Sequence, residues 1–218
     1  MIQNTSSSSI VRRGFMLVLS SPSGAGKTTI ARKVLEREKE LVLSISVTTR
    51  PKRSSEKEGS DYFFVDETTF SQMVKSDQFL EHARVYGHYY GTPQAFIGEL
   101  LAGGTDVLFD IDWQGTQQLK QTALNDLVSV FILPPTLKDL EKRLYTRGED
   151  SEEVVKKRMK KAQYECSHWA EYDYVIVNET LEESIQKVHS IIQAERLKRR
   201  RQIGLANFVN RLRGIETQ

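Results

Sequence analysis

One stretch near the N-terminus carries the residue types that hold phosphate. In Ser21-Pro22-Ser23-Gly24-Ala25-Gly26-Lys27-Thr28, a glycine-rich turn can aim consecutive backbone N–H groups at an anion in front of a helix N-terminus. Gly24 and Gly26 permit backbone angles that other residues resist. Lys27 can then reach β- and γ-phosphates, the Thr28 hydroxyl can ligate Mg²⁺, and Thr29 is grouped with them. An ordinary strand-to-helix turn is the bland alternative. The context favours the phosphate loop, because the apolar run Phe15–Leu19 precedes it and helical apolar spacing (Ile30, Ala31, Val34, Leu35) follows.

Three other groups could join that chemistry. Asp110 directly follows Val107-Leu108-Phe109 and is the candidate for a second Mg²⁺-related group acting through water; its alternative is a strand-terminal Asp capping the next turn. Arg50 and Arg53 lie three residues apart, a spacing that can fork around phosphate oxygens, although a solvated charge cluster would look the same. Arg143 and Arg147 share a helix face, where like charges cost about 0.2–0.5 kcal/mol unless an anion lies between them. A solvated helix balanced by Glu141, Glu149, Glu152 and Glu153 is the alternative there.

The elements that must position these residues follow from apolar runs. Phe15–Leu19, Val107–Phe109, Val128–Leu133 and Val175–Val177 are short and apolar on both faces, as buried parallel strands are. Each leads into a helical pattern, which gives an α/β sandwich with a central parallel sheet. The expected core comprises residues 12–45, 94–137 and 166–201. Residues 46–93 alternate and carry Tyr86-Gly87-His88-Tyr89-Tyr90-Gly91, which reads as a small β-rich insert with a helix over Glu67–Lys75. Residues 138–165 are dense in charge, with Arg147-Gly148-Glu149-Asp150 as a hinge, and suit a mobile lid. Thr180 and Glu183 form a capping box before the last core helix. Residues 1–11 read as a disordered leader and 202–218 as a tail. Lys198–Arg201 reads as basic residues complementing a helix C-terminus.

Bulk properties set limits. The 218 residues hold 31 basic and 29 acidic side chains, a net charge of +2, with 39% hydrophobic residues. That balance gives no global field for nucleic acid or an anionic membrane, so an anion site must be local. No apolar run reaches the ~20 residues of a membrane span. The single cysteine, Cys166, fits a reducing compartment, and the expected location is the cytoplasm. A homo-oligomer, with Phe208–Leu212 docking on a neighbouring subunit, is compatible with the sequence.

Several motifs in register resemble guanylate kinase from about residue 12 to 200. They are the Ser21–Thr28 loop, Thr48-Thr49-Arg50-Pro51-Lys52-Arg53 continuing to Glu56, Asp61-Tyr62-Phe63-Phe64, Phe79-Leu80-Glu81, Tyr89-Tyr90-Gly91-Thr92, Asp110-Ile111-Asp112-Trp113-Gln114-Gly115 and Tyr174-Val175-Ile176-Val177-Asn178. Two departures are small: Ser21 stands where many members have Gly, and Ser54-Ser55 where Pro-Gly is common. The resemblance implies a P-loop NTPase three-layer sandwich with a GMP-binding insert and a helical lid. It implies Mg²⁺-dependent transfer of the γ-phosphate of ATP to GMP, and to dGMP. By the same resemblance Arg50, Arg53, Tyr62 and Tyr90 hold the GMP phosphate, while Glu81, Asp112, Ser46 and Thr92 read guanine. Arg143, Arg147 and Arg158 are the lid arginines, catalytic together with Lys27, and Asn178 belongs to the ATP site.

The chemistry of those types is coherent. Guanine offers N1–H and a 2-amino group as donors and adenine has no such pair, so carboxylates at that edge would strand charge against the wrong base. A phosphate acceptor, with its second pKa near about 6, needs no general base, and His82, His88, His168 and His189 are given no catalytic role. The rival readings are a non-catalytic guanylate-kinase-like interaction module, which would be expected to lose cradle or lid residues kept here, and a P-loop kinase for another small phosphorylated acceptor. Lys27→Ala and Arg147→Ala are each expected to lower kcat roughly a hundredfold or more, measured on folded variants; near-wild-type turnover from either would remove its assigned role.

Overall fold

The structure is a computed structural model that describes residues 10–54, 56–85, 87–146 and 152–215. In chain order its elements are β1 (Val11–Arg12), β2 (Met16–Ser20), α1 (Lys27–Arg37), β3 (Leu41–Leu43), β4 (Val47–Thr48), β5 (Phe63–Phe64), α2 (Glu67–Lys75), β6 (Phe79–Val85) and β7 (His88–Pro93). They continue with α3 (Ile97–Ala102), β8 (Asp106–Asp110), α4 (Trp113–Ala123), β9 (Leu127–Leu133), α5 (Leu137–Thr146), α6 (Glu152–Cys166), β10 (Tyr174–Val177), α7 (Leu181–Arg196), β11 (Gln202–Ile203) and α8 (Leu205–Leu212).

The main sheet is parallel in the order β10-β9-β2-β8-β3. Alternation along β2 explains why its sequence is apolar throughout. Phe15, Leu17 and Leu19 pack on one face with Ile30 and Val34 of α1 and Val188 and Ile192 of α7. Met16 and Val18 pack on the other with Leu101 of α3 and Leu119 of α4. Both faces are covered, as a purely parallel sheet requires. Four of these strands match the apolar runs, but β3 was not anticipated. Helix α1 stops at Arg37, and Leu41–Leu43 forms a short edge strand with Val42 and Leu43 exposed.

The insert carries a second sheet, β5-β4-β7-β6, with β4 and β5 parallel and the other pairs antiparallel. Phe70 of α2 stacks between Phe79 and Tyr89 at 4.8 and 5.4 Å, which gives the insert its own small core. Gln118 of α4 ties it to the main body, since its amide accepts the His82 N–H at 2.9 Å and donates to the His82 carbonyl at 2.7 Å.

Helices α5 and α6 are not all surface. Leu140, Leu144, Val155 and Ala162 form a buried cluster at their base, and the Arg147–Asp150 hinge between them lies outside the described residues. Two readings of the chain ends are corrected. Val11, assigned to the leader, pairs with Ile203 of the tail. Arg201 does not decorate a helix end in solvent: α7 stops at Arg196, and the 1%-exposed Arg201 guanidinium stacks 4.6 Å over Phe15 and pairs with Glu195 at 3.3 Å. Packing of the long side chain against Phe15 outweighs its solvation there. No helix among the described residues is long and apolar enough to cross a membrane.

Candidate active site

The loop after β2 turns at two left-handed glycines, Gly24 (φ 91°) and Gly26 (φ 105°), the region where a Cβ is strained. A side chain at Gly26 would also come within 2.5 Å of the Asn178 amide nitrogen. Parallel pairing places Leu19, two residues before the loop, opposite Asp110 at the end of β8. This register brings the Lys27 ammonium into an ion pair with Asp110, and Lys27 Nζ also donates to the Ile111 carbonyl at 3.3 Å. Asp110 is therefore not the helix cap. That role falls to Asp112, whose Oδ1 accepts from Gln114 N (3.1 Å) and Gly115 N (3.2 Å) at the start of α4.

The loop faces an open cleft of about 770 Å³. Ser21, Pro22, Ser23, Gly24, Gly26, Lys27, Thr28 and Thr29 line it from below, with Asp112, Asn178 and Arg143 also on its wall. Ala25 is buried and turns its carbonyl outward to two donors, Asn178 Nδ2 at 2.7 Å and Arg143 Nη1 at 3.2 Å. Asn178 is itself oriented by Ser184, whose hydroxyl donates to Asn178 Oδ1 at 2.9 Å. It props the loop as much as it faces the cleft. Arg158 is half-buried on α6 and is not on the cleft wall, while Arg147 lies outside the described residues. Lys142, Lys161 and Glu165 do line the cleft and were missed in the sequence. They sit in a lysine- and glutamate-rich stretch where only the fold separates inward from outward positions.

The insert supplies a cationic and aromatic corner of its own, whose residues are not on the wall of that cleft. Arg50 donates to Glu56 Oε1 at 2.6 Å, and its guanidinium lies 5.4 Å from the Tyr62 ring. Hydrogen bonds to Glu56 first, and to Tyr90 after it, hold the Arg50 charge and raise its pKa. Glu56 also accepts the Arg53 backbone N–H at 2.9 Å, so one carboxylate organises both arginines, while the Arg53 side chain stays exposed. The Tyr62 and Tyr90 rings meet edge-on at 6.0 Å. Burial, and then the negative charge of Asp110, push the Tyr62 phenol up. Ser46 is half-buried and engages through its carbonyl, accepting the Phe63 N–H at 2.9 Å.

Glu81 and Thr92 are buried on neighbouring strands β6 and β7, and the Thr92 hydroxyl donates to Glu81 Oε1 at 2.7 Å. Burial pushes the Glu81 carboxyl up to about 7; the Thr92 hydrogen bond opposes this and the negative charge of Asp112 adds to it. Gly115 closes the approach, because a Cβ there would meet Glu81 Oε2 at 2.6 Å. Both acidic groups thus lie beside Gly115 at the start of α4, Asp112 with its oxygens engaged by the Gln114 and Gly115 N–H groups and the Gln114 side chain.

A guanylate kinase family profile matches residues 13–195. The chain belongs to the guanylate kinase family. It is 58% identical over 207 residues to a guanylate kinase of Paramagnetospirillum magneticum, covering 95% of this chain and 97% of that one. It is 56% identical over 209 residues to one of Nitrobacter winogradskyi, covering 95% of each. A crystal structure of guanylate kinase from Anaplasma phagocytophilum superimposes with a TM-score of 0.79 at 38% identity, covering 95% of this chain and 100% of that one. The family's P-loop fold accounts for the parallel sheet and the loop at its carboxyl end. Gly115→Ala is expected to weaken GMP binding about tenfold or more through overpacking against Glu81, with ADP binding kept within about twofold, both read by titration calorimetry. Unchanged GMP affinity would show that Gly115 does not border the base site.

Proposed function

We infer that the chain is an ATP:GMP phosphotransferase. The observation that carries this reading is a phosphate loop at the carboxyl end of the parallel sheet, with half-buried Asp112 on its cleft wall and buried Glu81 beside the same helix start, a carboxylate pair suited to the donor edge of guanine. ATP lies on the loop side, its phosphates against the backbone N–H groups of residues 24–28 and the Lys27 ammonium. GMP lies on the insert side, its phosphate against Arg50, Arg53, Tyr62 and Tyr90. Its base faces Glu81 and Asp112, with Thr92 and Ser46 beside them. Arg143, Arg147 and Arg158 are assigned to the phosphates in transit.

The residues fit a Mg²⁺ ion. Thr28 and Asp110 offer hard oxygen donors beside the phosphate loop, and Mg²⁺ typically takes only one or two protein ligands together with substrate phosphates. No group of three or more His, Cys, Asp or Glu side chains suited to a metal occurs among the described residues. When bound, the ion neutralises phosphate charge. The chain does the rest: Lys27 exchanges Asp110 for phosphate oxygens, the arginines counter the charge between the two anions, and closure excludes water from the transfer. The acceptor is a phosphate oxygen already ionised near neutral pH, so no side chain has to remove a proton. We further propose dGMP as an acceptor and the cytoplasm as the location.

A coupled ADP-release assay with GMP, dGMP, AMP, UMP and IMP tests the reading. GMP is expected to be the best ribonucleotide acceptor by about a hundredfold or more over AMP. Silence with every acceptor would favour an interaction module, and AMP or UMP preference another kinase. Glu81 adds a pH signature. The ionised carboxylate can accept both guanine donors, whereas protonation turns one oxygen into a donor, and the folded value of about 7 lies above the ordinary 4.5. kcat/KM for GMP should therefore fall as pH drops below about 7, approaching about tenfold per unit, and Glu81→Gln should flatten this limb. The same shift means that the stability Glu81 contributes is complete below about 4.5 and is lost as pH rises through about 7. A GMP profile flat from pH 5.5 to 8 would contradict the role of Glu81.

A further inference from the structure

Glu165 is an acid in a cleft built for acids. It stands on the last turn of α6, 8% exposed, on the wall of the cleft that takes ATP in the reading above. An unbalanced carboxylate there would repel triphosphate, so its presence needs a physical reason. Two contacts supply one. Glu165 Oε2 accepts the backbone N–H of Ser23 at 3.2 Å, and Oε1 lies 3.5 Å from the Lys161 ammonium one helical turn earlier.

The Ser23 N–H lies just before the left-handed Gly24, on the arm by which the chain enters the cradle. A partly buried N–H is best met by an acceptor, and here the acceptor comes from α6. Two residues further on, Ala25 O is held by Asn178 and Arg143. Three different elements thus fix the loop at two points: α6 at Ser23, and α5 together with the end of β10 at Ala25. The bond from α6 reaches the loop's entry arm, upstream of residues 24–28. The Lys161 amine, one turn away and also lining the cleft, is drawn to the loop side by the same carboxylate.

We propose that Glu165 is a positioning residue for ATP, which fixes the entry arm of the phosphate loop through Ser23 and aims Lys161 at the triphosphate. The proposal rests on the reading of the cleft as the ATP site. The competing role is a strut for the α5–α6 cluster of Leu140, Leu144, Val155 and Ala162. A strut would alter stability without distinguishing one substrate from the other.

Three variants separate these roles. Glu165→Ala removes both contacts, Glu165→Gln keeps an oxygen for the Ser23 N–H but loses the charge facing Lys161, and Lys161→Met removes the amine alone. The readouts are the Kd for Mg-ADP by calorimetry, KM and kcat for each substrate at saturating levels of the other, and the urea midpoint. Glu165→Ala is expected to raise the ADP Kd and the ATP KM by about tenfold or more, with the GMP KM within about twofold. Glu165→Gln should recover part of that loss and match Lys161→Met in what remains, about threefold. ADP binding within about twofold of wild type in Glu165→Ala, or equal rises in the ATP and GMP constants, would overturn the proposal. If Glu165→Ala does not fold, Glu165→Gln and Lys161→Met decide, and unchanged ATP constants in both would overturn it. Wild-type protein that binds ADP but leaves GMP untouched would overturn the functional reading alone.

Discussion

Two phosphate groups brought end to end repel, and cations must be fixed around them before they arrive. A cation kept in a half-buried cleft without a partner would be costly in its own right. This chain meets both demands by giving site cations an acceptor of their own: Lys27 has Asp110, Arg50 has Glu56, Lys161 has Glu165, and Arg143 rests on the Ala25 carbonyl. The partners hold each charge in place at modest cost, and phosphate oxygens, which make charge-assisted bonds of the same kind, can take their place. Preorganisation of this kind reduces the ordering left to do when substrate binds.

The fold serves that arrangement. Register between β2 and β8 puts Asp110 beside the loop, and pairing of β10 with β9 carries Asn178 to the same end of the sheet. The insert contributes its cations and its buried acid from a separate sheet, tied to α4 by Gln118. In the proposed reading, base selection is a matter of stranded charge. Glu81 is buried against Thr92 and Gly115 with Asp112 nearby, so a base without the matching donors leaves it uncompensated.

Much of this was legible in the sequence because it is local. Phe15–Leu19 leading into Ser21–Thr28 fixes a strand, a turn and a helix within one window, and helix α2 follows from the spacing of Glu67–Lys75. The opposite case is β3, three residues long and half exposed at a sheet edge, where neither length nor alternation stands out. Asp110 and Asp112 are two residues apart and could each cap a helix; only the strand register and the turn into α4 assign the ion pair to one and the cap to the other. Arg201 belongs to a basic run that reads as solvated, and its burial over Phe15 depends on a contact across the whole chain. Glu165 was missed for a similar reason: its contact with the phosphate loop is to Ser23, 142 positions away.

The central claim is that one ring of preplaced cations holds both nucleotides at once. The most direct measurement is the affinity for an adenosine and a guanosine joined through five phosphates, compared by calorimetry with ADP and GMP separately. If both halves engage together, the linked compound binds about a hundredfold or more tighter than ADP, because its second half binds at high effective concentration. Affinity no better than that of ADP alone would mean that the two sites do not share the cleft, and would contradict the account.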